Sequence, residues 1–407
     1  MRAASGGDEA IDGPAAWRRL AAATALGTVG GVGMWSVVVV LPAVQAEFGV
    51  DRAAATLPYT LTMIGFALGG LLMGGLADRF GVVRPLIVGT LCLAAGYALS
   101  ARATSIWQFA LAHGVLVGAL GSSVVFGPLM ADISFWFRRR RGLAVAVCAS
   151  GNYLAGTVWP PLVERAVELY GWRATQVGIG LVCLAAMPPL TLLMRGRAPR
   201  AAAGGPAGQR AALSLSPGAV QGFLVVAGIA CCVAMAMPQV HIVAYCSDLG
   251  YGVARGAQML SLMLGFGIVS RVASGFIADR IGGLATLLGG ALLQGTALAL
   301  YLAFDGVTAL YVISALFGLF QGGIVPAYAI IVREYLPAAE AGARIGAVLM
   351  ATLAGMALGG WLTGAIFDAT GSYRAAFVNG LAWNALNVAI VLWLMHRRLP
   401  GARLAPA

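Results

Sequence analysis

The sequence contains no lysine and few charges of either sign. Charged residues fill 10% of its 407 positions and hydrophobic ones 60%, with a mean hydropathy of +0.87. A soluble globular protein carries about 25% charged residues. The shortfall excludes an ordinary water-soluble fold. Cysteine is also sparse. Cys92, Cys148, Cys183, Cys231, Cys232 and Cys246 all fall in or beside apolar runs. None has metal-ligand spacing and no disulfide framework emerges, so they read as small hydrophobes in packed helices. No nucleophile–base pair or soluble catalytic module stands out. No enzyme activity, metal or cofactor is expected.

What the chain has in quantity is long apolar runs. A helix needs roughly 20 apolar residues to cross a bilayer. Twelve runs approach or exceed that length, at about 20–43, 57–77, 83–101, 106–131, 142–163, 174–194, 218–246, 257–278, 284–304, 308–332, 343–367 and 375–395. Lipid offers the backbone no hydrogen bonds, so runs of this length are helices. The expected fold is an all-α membrane protein with twelve transmembrane helices.

The net charge of +11 comes entirely from arginine among the basic residues. Its placement argues against a nucleic-acid partner. The even-numbered loops and both tails hold 19 of the 26 arginines, including "RRRR" at 138–141, while the odd-numbered loops hold Arg52, Arg102, Arg165, Arg173, Arg255 and Arg374. This bias predicts cytoplasmic termini and a basic surface facing anionic lipid. Residues 1–16 carry Asp8, Glu9 and Asp12 and lack a cleavage site, so they read as a disordered cytoplasmic tail. An all-arginine complement suits a GC-rich genome, and a bacterial inner membrane is the expected location.

The chain also repeats itself. Residues 74–81 read "GGLADRFG" and residues 275–282 read "GFIADRIG", an offset of 201. Two pseudo-symmetric six-helix halves are therefore expected, at 17–195 and 218–396. The 196–217 segment is a flexible cytoplasmic linker, and 397–407 is a second tail. Parallel six-helix repeats are a transporter architecture, with substrate sites near the membrane midplane.

The phrase at 74–81, Gly-x-Leu-x-Asp-Arg-x-Gly, resembles the signature loop of the major facilitator superfamily. The resemblance runs from about residue 20 to 396. It implies a cytoplasmic latch in which a carboxylate sits at the positive end of a helix dipole. The residues carrying that role would be Asp78 and Arg79, and more weakly Asp279 and Arg280. The alternative is that these charges only set topology.

Departures from the repeat point to chemistry. Arg271 lies inside a span, where its partner at 70 is Gly, eight positions before Asp279. At 1.5 Å per residue it sits about 12 Å deep, near the midplane. An arginine there costs roughly 2.5–3.5 kcal/mol on insertion scales, and such residues mark substrate or ion pathways. Its planar fork matches a carboxylate. No Asp or Glu falls at comparable depth in the sequence, which favours an external anion over an internal salt bridge. His241, in "MPQVHIVAY", replaces Val40 of the first half. Histidine is the side chain that titrates most readily near neutral pH, so His241 is a candidate to bind substrate and carry a proton, against a reading as a packed polar residue.

His241 and Arg271, spaced thirty apart, resemble the monocarboxylate and oxalate/formate transporter group. So does "WFRRRRGLAVAVCASGNYLAG" at 136–156, with Ala146 in place of a usual glycine. The resemblance implies transport of small organic acids, often with a proton, and a carboxylate anchored at Arg271. It is incomplete. Gly267 stands where animal members have an acid. Their helix 1 acidic motif is absent, with only Trp35 at a matching end of "GGVGMW". The additional helix 11 lysine of oxalate exchangers is missing too, so a monoanion fits better than a dianion. Asn152, Tyr153, Gln321 and Trp35 are further candidates to line the cavity, each equally readable as a packing residue. His113 is a second proton-site candidate. The expected partners are a small organic acid, protons and lipid, with the chain working as a monomer. The alternatives are an anion exchanger, a carrier of drugs, sugars or nitrate on the same fold, and a non-transporting membrane receptor or enzyme.

Overall fold

The computed structural model describes residues 11–196, 213–337 and 340–397. Most of the expected linker and tails (1–10, 197–212 and 398–407) therefore lies outside the described residues. The described residues are almost entirely helical. α1 is Pro14–Phe48, α2 Arg52–Phe80, α3 Val83–Ser100 and α4 Ile106–Trp136. The next helix, Arg141–Leu193, is 53 residues long but bends at Gly171, whose φ of 77° and ψ of 161° are non-helical. Its arms, 141–170 and 172–193, are α5 and α6. Then follow α7 Pro217–Asp248, α8 Val253–Ile281, α9 Gly283–Ala303, α10 Val307–Tyr335, α11 Ala341–Thr370 and α12 Tyr373–His396. Among the described residues, eleven helical runs long and apolar enough to cross a membrane thus give twelve segments.

The first helix starts earlier than expected. Pro14 occupies its first turn, where its missing N–H costs nothing. Just before it, Asp12 accepts hydrogen bonds from the backbone N–H groups of Arg138 and Arg139, at 3.2 and 3.1 Å. These bonds, led by that from Arg139, hold the Asp12 carboxyl below its usual range. The helix thus takes in residues 14–16.

Two compact units emerge. One comprises Met1–Val50 with Ala54–Gly204, the other Asp51–Ala53 with Gly205–Ala407. The repeat is written into their turns. Gly49 and Gly250, and likewise Gly81 and Gly282, all have positive φ (60°, 79°, 77° and 83°). Both pairs are offset by 201, and only glycine adopts this backbone at no cost. Each unit contains a helix pair, at repeat-related positions, that crosses backbone to backbone. In the first, a methyl added at Gly65 or Gly69 of α2 would overlap carbonyls of Gly114 or Ala119 on α4. In the second, Gly318 and Gly322 of α10 stand against the carbonyls of Met263 and Gly267 on α8. Outward-facing Leu68, Leu71, Leu91, Trp107, Leu181 and Phe276 are exposed. In water such surface would aggregate; in a bilayer it is the lipid contact.

Candidate substrate site

Three helices are interrupted partway along their length. α1 breaks at Gly31. α4 passes from a π-helix at Ala112–Gly121 through a 3₁₀ turn at Ser122–Val125 to a non-helical Phe126 (φ −119°, ψ −84°). α10 breaks at Gly322 and Gly323, between its segments Val307–Gln321 and Ile324–Tyr335. An interrupted helix inside a bilayer frees backbone groups, which is tolerated where protein or a polar cavity satisfies them.

In the second unit the α10 break faces α8. Arg271 is half-buried and its Nε donates to Gly322 O at 3.4 Å. Beside that carbonyl, Gln321 is fully buried, and neither atom of its side-chain amide has a hydrogen-bond partner. A buried amide without partners costs about 1–3 kcal/mol, so the break carries polar capacity that the fold leaves unused. Arg271 thus meets the backbone of the break one residue along from Gln321.

His241 is not tied to that break. Its Nε2 lies 2.8 Å from Gly360 O on α11, and its ring is 5.9 Å from that of Tyr373. A carbonyl only accepts, so Nε2 carries the hydrogen and Nδ1 keeps a lone pair. Nδ1 is buried without a partner.

The first unit is neutral at its breaks. Ser122 Oγ of α4 donates to Gly30 O at the α1 break, at 2.8 Å. Trp35 and Asn152 meet, the indole N–H donating to the Asn152 carbonyl at 3.1 Å, while Asn152 Oδ1 is buried without a partner. Tyr153 is buried on the following position of α5. His113 lies in the π-helical stretch, fully buried, with ring centroids of Phe109 and Tyr97 at 4.6 and 5.7 Å. Neither of its nitrogens has a partner.

The signature-loop residues end their helices. Asp78 and Arg79 lie in the last turn of α2, and Asp279 and Arg280 in the last turn of α8, all four exposed. At the start of α9, just after the second signature loop, the carboxylate that meets the helix N-terminus is Glu334, which accepts from Gly283 N at 3.0 Å. At the corresponding end of α4, Asp132 instead holds buried Arg19 at 2.7 Å.

Against known proteins, the Major Facilitator Superfamily pattern matches residues 24–304 and 284–407. The chain belongs to that superfamily. It is a multi-pass membrane transporter, not an enzyme. Monocarboxylate transporter 13 of Bos taurus is 29% identical over 329 residues, covering 79% of this chain and 75% of that protein. The MFS-type transporter pynF of Aspergillus niger is 26% identical over 313 residues, 74% of this chain and 69% of its own. The fold also matches the crystal structure of a bacterial homologue of the human lysosomal transporter Spinster. That match has a TM-score of 0.73 at 14% identity and covers 95% of this transporter and 98% of the other chain.

Reading the sequence missed Arg52, Tyr373, Asp368 and Glu334. Arg52 counted only as a loop charge. Its burial, at 7% exposure, depends on residues some 196 to 321 positions away, which no local pattern shows.

Proposed function

We propose that this transporter carries a small organic monoanion, a monocarboxylate, by alternating access and together with a proton. The observation behind this reading is at the α10 break: Arg271 Nε donates to Gly322 O, and the neighbouring residue in sequence, Gln321, carries a buried side-chain amide without a hydrogen-bond partner. A carboxylate has a fork of acceptors for Arg271, and an amide N–H of Gln321 adds a donor. One fixed cation matches one negative charge. The likeness to a transporter named for monocarboxylates supports the same substrate class.

His241 is the proposed proton carrier, because Nδ1 holds a lone pair in a buried place. A proton crossing with the anion makes a neutral pair. That avoids working against the membrane potential, about 2.3 kcal/mol per charge per 100 mV. Trp35, Asn152 and Tyr153 are proposed as neutral polar lining of the first unit. The exposed Asp78–Arg79 and Asp279–Arg280 pairs are proposed as latch charges. The proposed setting is a bacterial inner membrane with cytoplasmic termini.

Proteoliposome uptake of radiolabelled lactate, pyruvate and formate, against oxalate and glucose, tests the reading. Uptake of the monoanions, accelerated by outside acid, is the expected result. Preferential uptake of glucose or oxalate would overturn it. Uptake of monoanions without any pH effect would replace symport by exchange or uniport.

A further inference from the structure

Beyond its break α10 resumes as Ile324–Tyr335. Within the second unit this segment lies on α9, where a methyl added at Gly283 or Gly290 would come within 2.8 Å of Ile331 or Ile324. Apolar contacts are non-directional, so they seat the segment without fixing its rotation. Directional bonds fix it at two levels. At the far end, Glu334 accepts from Gly283 N. Nearer the break, fully buried Tyr328 donates from Oη to Asn387 Oδ1 of α12 at 3.0 Å. A chain of amides stands behind that bond. Asn384, one turn before Asn387 on the same face of α12, donates from Nδ2 to Gln294 Oε1 of α9 at 3.2 Å. Gln294 Nε2 in turn donates to Cys231 O of α7 at 3.3 Å.

Two observations set these bonds apart from ordinary packing. Asn387 is kept at a cost, because its Nδ2 is buried without a hydrogen-bond partner, where a leucine would leave no donor unpaired. A polar group retained at a cost in stability fits a role in specifying one arrangement. The repeat gives the second observation. The positions 201 before Gln294, Tyr328 and Asn387 are Leu93, Gly127 and Ala186, whose side chains cannot form these bonds. The ties are therefore a departure from the repeat in the unit whose α10 break meets Arg271. Tyr328 lies six residues past Gly322, about 9 Å along a helix. A helical segment is stiff over that length, so a turn at Tyr328 is felt at the break.

We propose that Tyr328 is a positioning residue for the anion site. Held by Asn387, it fixes the rotation of the second α10 segment, and so the placement of Gln321 and of the Gly322 carbonyl that Arg271 meets. The proposal rests on the reading of the α10 break as the substrate site.

Kinetics of radiolabelled lactate uptake by the full-length protein in proteoliposomes test it. Tyr328→Phe keeps the ring and removes the bond. It should raise KM about tenfold and change the maximal rate less than about twofold. It should also lower Tm, because the Asn387 amide loses its partner. Tyr328→Phe with Asn387→Leu removes both partners, so Tm should recover while KM stays raised. The double variant carries the test where the single one misfolds. A wild-type KM in Tyr328→Phe, or recovery of KM together with Tm in the double variant, would reduce the bond to a folding role and overturn the proposal. A second measurement needs no substrate. Hydrogen exchange at residues 321–325 of the purified protein should quicken about tenfold in both variants, with α8 unchanged. Unchanged exchange at the break in both variants would also overturn the proposal. Wild-type protein that takes up no lactate would count against the monoanion reading alone, and hydrogen exchange would then decide the role of Tyr328.

Discussion

Val40 and His241 occupy repeat-related positions, 201 apart, and so do Gly70 and Arg271. The two units share helix order, turn glycines and a backbone-to-backbone helix crossing between repeat-related helices. Their chemistry differs. Val40 is fully buried among apolar neighbours, whereas His241 bonds a carbonyl of α11. A methyl added at Gly70 would meet nothing within 4 Å, whereas Arg271 reaches the broken segment of α10. The first unit answers its α1 break with a neutral donor, Ser122. The repeat supplies a common frame, and the proposed site residues are departures from it in the second unit.

The largest expected effect comes from breaking that asymmetry at Arg271. Arg271→Ala should lower monoanion uptake about 100-fold or more while the protein still inserts and folds. Moving the charge to the repeat position, Gly70→Arg with Arg271→Gly, should fit sterically and still fail to transport. The first unit lacks the Gln321–Gly322 arrangement that Arg271 uses. Uptake by the relocated variant, measured in proteoliposomes, would mean that the halves are interchangeable.

His241 comes next. His241→Val copies the first unit's residue, and His241→Gln keeps a donor for Gly360. Both should flatten the acceleration of uptake by outside acid, with rates at acid pH falling roughly tenfold. His241→Gln should fold better, because Gly360 O keeps its partner. Full pH-driven accumulation by His241→Gln would shift proton coupling to His113 or to the substrate itself.

The two signature loops should differ less. Asp78→Asn should change turnover by roughly three- to tenfold with substrate affinity nearly constant, as expected when a charge stabilises one conformation rather than the site. Asp279→Asn should do less, because Glu334 already supplies the carboxylate at the start of α9. Titration of purified variants with substrate checks this: a fall in affinity as steep as the fall in rate would place Asp78 in the binding site.

Much of the frame was legible in the sequence because hydropathy and glycine act locally. Gly81 and Gly282 announce their turns, and the apolar runs announce the helices. The site was half legible. Arg271 stood out because a midplane arginine is costly wherever its partners are. Gln321 could be named but not its isolation, which depends on how the Gly322–Gly323 break turns the helix. The Arg52 cluster was hidden because its hydrogen bonds with Asp368 span 316 and 315 positions. The π-helical stretch of α4 was hidden too. No residue type encodes it, and α4 there lies backbone to backbone against Gly65 and Gly69 of α2.

The smallest effect tests whether that stretch has a proton-handling role. His113 and Ser314 are repeat-related, 201 apart, and both are fully buried. Ser314 Oγ meets Tyr301 Oη at 2.9 Å, so its polar group is satisfied. His113 has aromatic neighbours and no hydrogen bond at either nitrogen. Removing a satisfied hydroxyl costs about 1 kcal/mol, whereas replacing an unsatisfied polar group by an apolar one relieves a penalty of similar size. Ser314→Ala should therefore lower stability by about 1 kcal/mol, and His113→Leu should raise it by about the same. Thermal unfolding of the purified variants measures both signs, and uptake against pH measures the role. If His113 is only a packed ring, His113→Leu transports with the wild-type pH profile. If instead its removal flattens that profile, the first unit takes part in proton coupling, and the contrast drawn at His241 no longer divides the halves.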